Sequence, residues 1–389
     1  MMVVMNSVQN DDYKNYNTPG QLLDALLTKR GWNQRTLGIV LGIDETGVNR
    51  LVTAKRPFTA ELALTFEDLF GEPAEHFLDL QKKYDLSVAR ISTKPDPARS
   101  TRAQLFGDLP ITDMIKRGWI IADDIKDVPA VEKALMKFFD APSLEEIEIL
   151  PHAAKKTLVA EDVTPAQLAW LYRVKTIASE MMVNPYSPAA VKSAVTKLSA
   201  LRSAPELARS VPRILAECGI RYVIVESLPS AKIDGVCFWL DKQSPVIGMS
   251  LRLDRIDNFW FVLRHEVEHV LRLHGQSTAM VDAELEGEKA GTGESVTEEE
   301  RIANQAAADF CVPDKLMKSF IERKSPFFAG QDIIGFARTL GVHPGLIAGQ
   351  LQHRTGRYEL FRAHLAKVRT MITPSAMVDG WGDVAPIGS

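Results

Sequence analysis

Between residues 18 and 90 the apolar residues recur every three or four positions, the spacing of short helices that each bury one face. Thr18-Pro19-Gly20 predicts a helix start, with Thr as cap and Pro at the first position, and Leu22, Leu23, Leu26 and Leu27 supply its apolar face. NQRTLGIVLGIDETGVNRLV reads as two short helices parted at Gly42-Ile43, with Asp44 capping the second. Further helices are predicted from Thr59, with Leu62, Leu64, Phe66 and Leu69, and again through PAEHFLDLQKKYDL. Residues 99–205 carry more helical runs: Ser143 with Glu146 forms a capping-box pattern, and Thr164-Pro165 and Ser187-Pro188 open helices. From Ile220 the period changes. IRYVIVE, with Ile220, Tyr222 and Ile224 alternating with polar or smaller residues, then GVCFWLD and SPVIGMSL, read as three short strands. NFWFVLRHEVEHVLRLH returns to the helical period, with Phe259, Leu263, Val267, Val270 and Leu271 on one side.

These changes of pattern divide the chain. Residues 1–17 read as a disordered leader and 18–93 as a helical domain, closed by a linker at Lys94-Pro95-Asp96-Pro97. Residues 99–205 form a helical middle region, 206–320 a mixed core and 321–372 a helical continuation, with helix expected from Gln331 to Arg369. Residues 373–389 read as a disordered tail. The run 275–299, rich in Gly, Asp and Glu, reads as a mobile loop. Composition adds little: the net charge of −4 argues against binding nucleic acid over the whole surface, while leaving room for a small basic module. Cys218, Cys237 and Cys311 form no C-x-x-C pair, which argues against a disulfide framework and for a reducing compartment, taken as the cytoplasm. No apolar run reaches the roughly 20 residues of a membrane helix, so no membrane partner is expected.

His265-Glu266-Val267-Glu268-His269 fits H-E-x-x-H. Residues four apart share a helix face, so both imidazoles can meet one ion, and neutral imidazole suits Zn²⁺. Glu266, one position on, can reach a water on the metal and take its proton. By average residue usage, a chance match in a chain this long is roughly a one-per-cent event. A catalytic zinc takes three protein ligands. His274 does not fit the extended motif H-E-x-x-H-x-x-G-x-x-H, which needs Gly at 272 and His at 275, where this chain has Arg272 and Gly275. Glu300 is the better candidate, with Asn304 one turn further along the same face. On spacing alone it competes with a solvated charge in an acidic run, since Glu298 and Glu299 adjoin it. His152, His343 and His353 stand outside the motif, and His343 is the one considered for stabilising an oxyanion.

FWFVLRHEVEHVLRLHG followed by EERIANQAAADFCVP resembles the ImmA/IrrE family of bacterial metallopeptidases, and GFARTLGVHPGLIAGQLQ is similar to that family's C-terminal segment. The resemblance covers about residues 206–365. It implies an α+β, zincin-like peptidase domain. His265 and His269 would be metal ligands, Glu266 the catalytic base, and Glu300, the Glu of an E-x-x-A-N pattern, the third ligand, with Asn304 behind it. It also implies a protein substrate that is a regulator, such as a repressor or antitoxin. Glu268 and Ile302 depart from the usual pattern; neither removes a ligand, and Glu268 is expected to add negative charge near the site.

The run around Gly42 has the layout of a helix-turn-helix, in which early residues of the second helix face the major groove. Glu45, Thr46, Asn49 and Arg50 then face the groove, with Asn49 and Arg50 suited to base edges, Arg35, Lys55 and Arg56 to phosphates, and Gln34 as a further DNA contact. Residues 29–56 hold six basic and two acidic side chains, a net of +4. Residues 18–88 resemble the Xre-type helix-turn-helix of HigA-like antitoxins, through Gln34, Leu41-Gly42-Ile43, Asn49-Arg50-Leu51, Lys55-Arg56-Pro57 and the closing LQKKYDL. Glu45 has the wrong sign for DNA at the helix start, and Gly47 lowers helix propensity. The combined expectation is a mainly α helix-turn-helix bundle and a helical middle segment, then an α+β zinc endopeptidase. Its expected partners are a DNA operator and a repressor or antitoxin substrate, with a second copy of the chain as a further candidate. The rival readings are a non-proteolytic helix-turn-helix regulator and an antitoxin acting by contact.

Overall fold

A computed structural model describes residues 11–93, 99–147, 163–229, 231–276, 279–283 and 297–386. The chain divides into two compact units, Met1–Pro97 and Ala98–Ser389. The boundary falls at the linker expected from the prolines, whereas the boundaries expected after 205 and 320 lie inside the second unit.

The first unit is a helical bundle of α1 (Pro19–Arg30), α2 (Gln34–Leu41), α3 (Glu45–Val52), α4 (Ala60–Phe70) and α5 (Ala74–Ser92). Local chemistry sets these ends. The side chains of Thr18, Asn33, Asp44 and Thr59 each accept a backbone N–H of the first turn they cap. Gly42 closes α2 at φ 67°, a left-handed conformation that costs glycine nothing. Leu23, Leu37, Val48, Leu51, Phe66 and Phe77 fill the core. The leader is partly a correction: Asp11–Asn15 forms a turn of 3-10 helix, and Tyr13 is buried, stacked on His76 at 3.8 Å and bonded to Asp79 at 3.2 Å.

The second unit opens with α6 (Arg99–Asp108), α7 (Ile111–Lys116), α8 (Val128–Phe138), α9 (Pro165–Glu180), α10 (Pro188–Ser199) and α11 (Val211–Glu217). Then come β1 (Arg221–Val225), β2 (Ile233–Trp239), β3 (Pro245–Met249), α12 (Ile256–Leu271) and β4 (Met280–Ala283). It ends with α13 (Glu298–Cys311), α14 (Asp314–Lys324), α15 (Gly330–Leu340), α16 (Pro344–Thr355), α17 (Arg369–Ile372) and β5 (Met377–Asp379). Ser143 heads only a 3-10 turn and makes no capping bond, so its capping-box pattern with Glu146 is not realised.

The unit is α+β, mostly helical around a mixed sheet ordered β4-β2-β3-β1-β5. β1 is parallel to β3 and β5, and β2 is antiparallel to β3 and β4. Both faces of the sheet are covered. Tyr222, Ile224, Cys237, Trp239, Ile247 and Met249 point into the core that holds α12. Val223, Val225, Val236, Phe238 and Val246 point into the core that holds α9. This two-sided burial makes the strands near-continuous apolar runs, rather than the one-sided alternation expected for β1.

Three expectations on order change. Within 275–299, β4 pairs with β2, while 277–278 and 284–296 lie outside the described residues. The helical stretch expected to reach Arg369 stops at Thr355 and resumes only as short turns. The tail after Thr373 is structural: β5 adds an edge strand beside β1. Asp379, 1% exposed, pairs with Arg173 of α9, accepts from Trp119 Nε1 at 2.8 Å and anchors the tail. Arg117 donates to the carbonyls of Glu226 and Ser227 at 2.6 and 3.0 Å, and Trp170 to that of Val225 at 2.8 Å. The middle helices are therefore bound to the sheet. Asp379→Ala strands a buried guanidinium and is expected to cost about 3–5 kcal/mol. Replacing the pair by Arg173→Met with Asp379→Leu should recover much of that in denaturant unfolding; a paired loss as large as the single one would show that the ion pair is not what anchors the tail.

Candidate metal centre

The site begins on α12, which packs on β2 and β3 and against α13 and α16. Its 3.6-residue period sets His265 and His269 one turn apart on a face that is wholly buried. Their Nε2 atoms lie 2.9 Å apart. Thr297 caps α13 through the Glu300 N–H at 3.3 Å, which places Glu300 in the first turn. α13 lies along α12, and the Glu300 carboxylate reaches both rings: Oε2 to His265 Nε2 at 3.2 Å and Oε1 to His269 Nε2 at 3.4 Å. Among the described residues these three form a group that could hold a metal ion. The acidic-run alternative for Glu300 is thus set aside. Glu298 turns instead to Arg301 at 2.6 Å, on an exposed surface.

Glu266 is fully buried and faces β2. Gly235 makes the space: a Cβ there would stand 2.1 Å from Glu266 Oε1. A glycine at this point of β2 is therefore part of the site, and sequence reading missed it because only the α12–β2 contact shows it. Asn304, one turn beyond Glu300, is half-buried and is joined to none of the three by a hydrogen bond among the described residues.

Glu268 is a correction. It adds no bare charge, because Arg264 and Arg272, one turn either side, each donate to it at 2.7 Å. Burial pushes its pKa up, but the hydrogen bonds from the two guanidinium groups outweigh this and hold the carboxyl below its ordinary value. His274, set aside as a ligand by motif spacing, nevertheless lies at the site: its Nδ1 is 3.0 Å from His269 Nδ1. His343 does not join the group. Its Nδ1 caps α16 by accepting from the Gly345 N–H at 3.0 Å. Burial lowers its pKa, with Glu206 and Asp257 opposing and His364 adding to the shift. His353 sits 3.5 Å from the Tyr358 hydroxyl, and His152 lies outside the described residues.

No protein-family model matches the chain. Virulence-associated protein I of Dichelobacter nodosus is 32% identical to it over 72 residues, 18% of this chain and 67% of that protein. Over those residues the chain belongs to the family of that protein. The greater part of the chain lies outside that likeness.

In the first unit, the seven residues considered for DNA contact lie on or beside α2 and α3. Arg35, Thr46, Asn49, Arg50, Lys55 and Arg56 are exposed and Gln34 is half-buried. Asn49 Nδ2 donates to Gln34 Oε1 at 3.2 Å, tying the two helices. The backbone amides of Lys55 and Arg56 both donate to the Arg50 carbonyl, at 2.8 and 3.0 Å, so these three basic residues share one tight turn. Gly47, expected to weaken α3, is the residue whose N–H Asp44 caps, at 2.8 Å.

Gly235→Ala is expected to lower stability by about 1–3 kcal/mol, the usual cost of overpacking. Adding Glu266→Ala should cancel most of that cost by removing the group struck. Denaturant unfolding of the two single variants and the double closes the cycle, and strictly additive losses would mean that the two residues do not meet.

Proposed function

We propose that the second unit is a zinc-dependent endopeptidase and that the first binds a DNA operator. The observation that carries the peptidase reading is the convergence of His265, His269 and Glu300 beside a buried Glu266. Donors held about 2.0–2.1 Å from a tetrahedral zinc lie about 3.3–3.4 Å from one another. The two Nε2 atoms lie 2.9 Å apart and each has one oxygen of the Glu300 carboxylate at 3.2 or 3.4 Å, so two imidazoles and a carboxylate, a donor set that suits zinc, stand within reach of one ion. Three protein ligands leave one position open, which is the arrangement of catalytic rather than structural zinc. When bound, the ion supplies a Lewis acid and lowers the pKa of water.

The chain's own groups divide the remaining work. His265 and His269 present Nε2 from one rigid helix, and Glu300 brings the negative charge that completes a two-imidazole, one-carboxylate set. Glu266, directed by its contact with Gly235, is the general base that takes the proton of the attacking water. The resemblance to the ImmA/IrrE family supports a zincin-like arrangement and a regulatory protein, repressor or antitoxin, as substrate. Among the described residues no helix is long and apolar enough to cross a membrane, and the three cysteines are buried and not joined in a disulfide. Both fit a protein that acts in the cytoplasm.

For the first unit the supporting features are the capped α2–α3 pair and the exposed basic residues at its end. Asn49 and Arg50 are the residues suited to base edges, and Arg35, Lys55 and Arg56 to phosphates.

The purified protein is expected to carry about one zinc per chain by elemental analysis. Glu266→Gln should keep that zinc while cleavage of the substrate falls by about 10²–10⁴. Glu300→Gln, His265→Ala and His269→Ala should lose zinc itself. A Glu266→Gln variant without zinc, beside a Glu300→Gln variant with zinc and full activity, would reverse the two carboxylate roles. For DNA, affinity measured on the full chain should fall steeply with salt. Arg50→Ala should weaken specific binding by about 1–3 kcal/mol if it meets a guanine; salt-insensitive or absent affinity would leave the first unit as a protein-contact module.

A further inference from the structure

We infer that His274 and Glu299 form an outer chain that sets the tautomer and orientation of His269, making His274 a positioning residue of the metal centre. The inference rests on the metal reading above and extends it to two residues outside the H-E-x-x-H pair.

His269 turns Nε2 toward His265 and Glu300 and Nδ1 toward His274. Its Nδ1 and the Nδ1 of His274 are 3.0 Å apart, a hydrogen-bond distance between two atoms of which one must carry the proton. A ligating Nε2 carries no proton, so the proton of His269 sits on Nδ1 and is donated to His274. His274 then accepts at Nδ1 and bears its own proton on Nε2. That atom faces Glu299, with Oε1 at 3.8 Å. At that distance the carboxylate attracts the protonated Nε2 without a direct hydrogen bond, so the 3.0 Å His269–His274 link couples the two tautomers and Glu299 adds a weaker bias at its outer end. Such outer partners fix ring orientation and raise the basicity of the ligating nitrogen.

The backbone around His274 is shaped to hold the ring there. Leu273 and Gly275 on either side are both left-handed, at φ 61° and 77°. The chain so doubles back after α12, and the His274 carbonyl accepts from Trp239 Nε1 of β2 at 2.8 Å. The His274 N–H donates to the His269 carbonyl at 2.9 Å. These anchors are independent of the imidazole, so the side chain can be changed while the turn persists. The ring is only 14% exposed, against 53% for the Glu299 side chain, so His269–His274 is the sheltered link and Glu299 the solvent-facing end.

The test uses the full chain and titrates it with zinc against a chromophoric chelator, then with Co²⁺ to read the visible ligand-field bands. His274→Ala is expected to weaken zinc binding about 10–100-fold and to shift the Co²⁺ bands. His274→Asn places an amide oxygen where Nδ1 stood, keeps the acceptor for His269, and should restore most of the affinity and the wild-type bands. Glu299→Ala should give a smaller loss of the same kind, and it serves as the test if the His274 variants fold poorly. Wild-type affinity and bands in His274→Ala would overturn the proposal while leaving the metal centre intact. The same holds if Asn behaves as Ala does, since a merely structural histidine would not be rescued through one acceptor atom. A wild-type chain that takes up neither ion would overturn the metal reading itself, and the outer chain with it.

Discussion

A helix packed on all sides cannot carry His265, Glu266, Glu268 and His269 unless something answers each polar group, because an unanswered buried charge costs several kcal/mol. The rest of the second unit is arranged around that constraint on α12. Glu268 is answered within the helix, by arginines four residues before and after it. The two imidazoles are answered from outside it, by Glu300 from the start of α13 and by His274 from the turn beyond. Glu266 is accommodated by an absence of side chain at Gly235. Removing any of these answers exposes the cost of burying the helix, so site and core form one structure.

The sheet imposes a second demand. Because β1, β2 and β3 are covered on both faces, it needs helices on each side, and α9 supplies the face opposite α12. The middle region is thus half of the layer that holds the site in place. Its outer margin is secured by the buried Arg173–Asp379 pair, with Trp119 bonded to the same carboxylate. Met377–Asp379 is held both by the pairing of β5 with β1 and by the buried carboxylate of Asp379.

The first unit follows a simpler logic. Its helices are bounded by caps that act within three residues, and its core is a set of apolar faces spaced at the helical period. Little there depends on distant contacts, which is why the predicted starts at Thr18, Asp44 and Thr59 match the observed caps. The leader is the exception, since the burial of Tyr13 depends on His76 and Asp79, more than sixty positions away.

What the sequence by itself determined is what operates within about one helical turn or one strand. This covers the helix caps, the short strands after Ile220, and the placing of His265 and His269 on one face of α12. A repeat of four residues and a cap of three are local geometry, so they survive without knowledge of the fold. Glu300 was legible as a candidate, but spacing could not separate it from its acidic neighbours; only the packing of α13 on α12 brings its carboxylate to both rings. The roles of Gly235 and His274, the neutralised state of Glu268 as a buried group, the second buried face of β1 and the conversion of the tail into β5 were likewise decided by tertiary structure. Each depends on which surface meets which, or on how far water is excluded, and no local period carries that information.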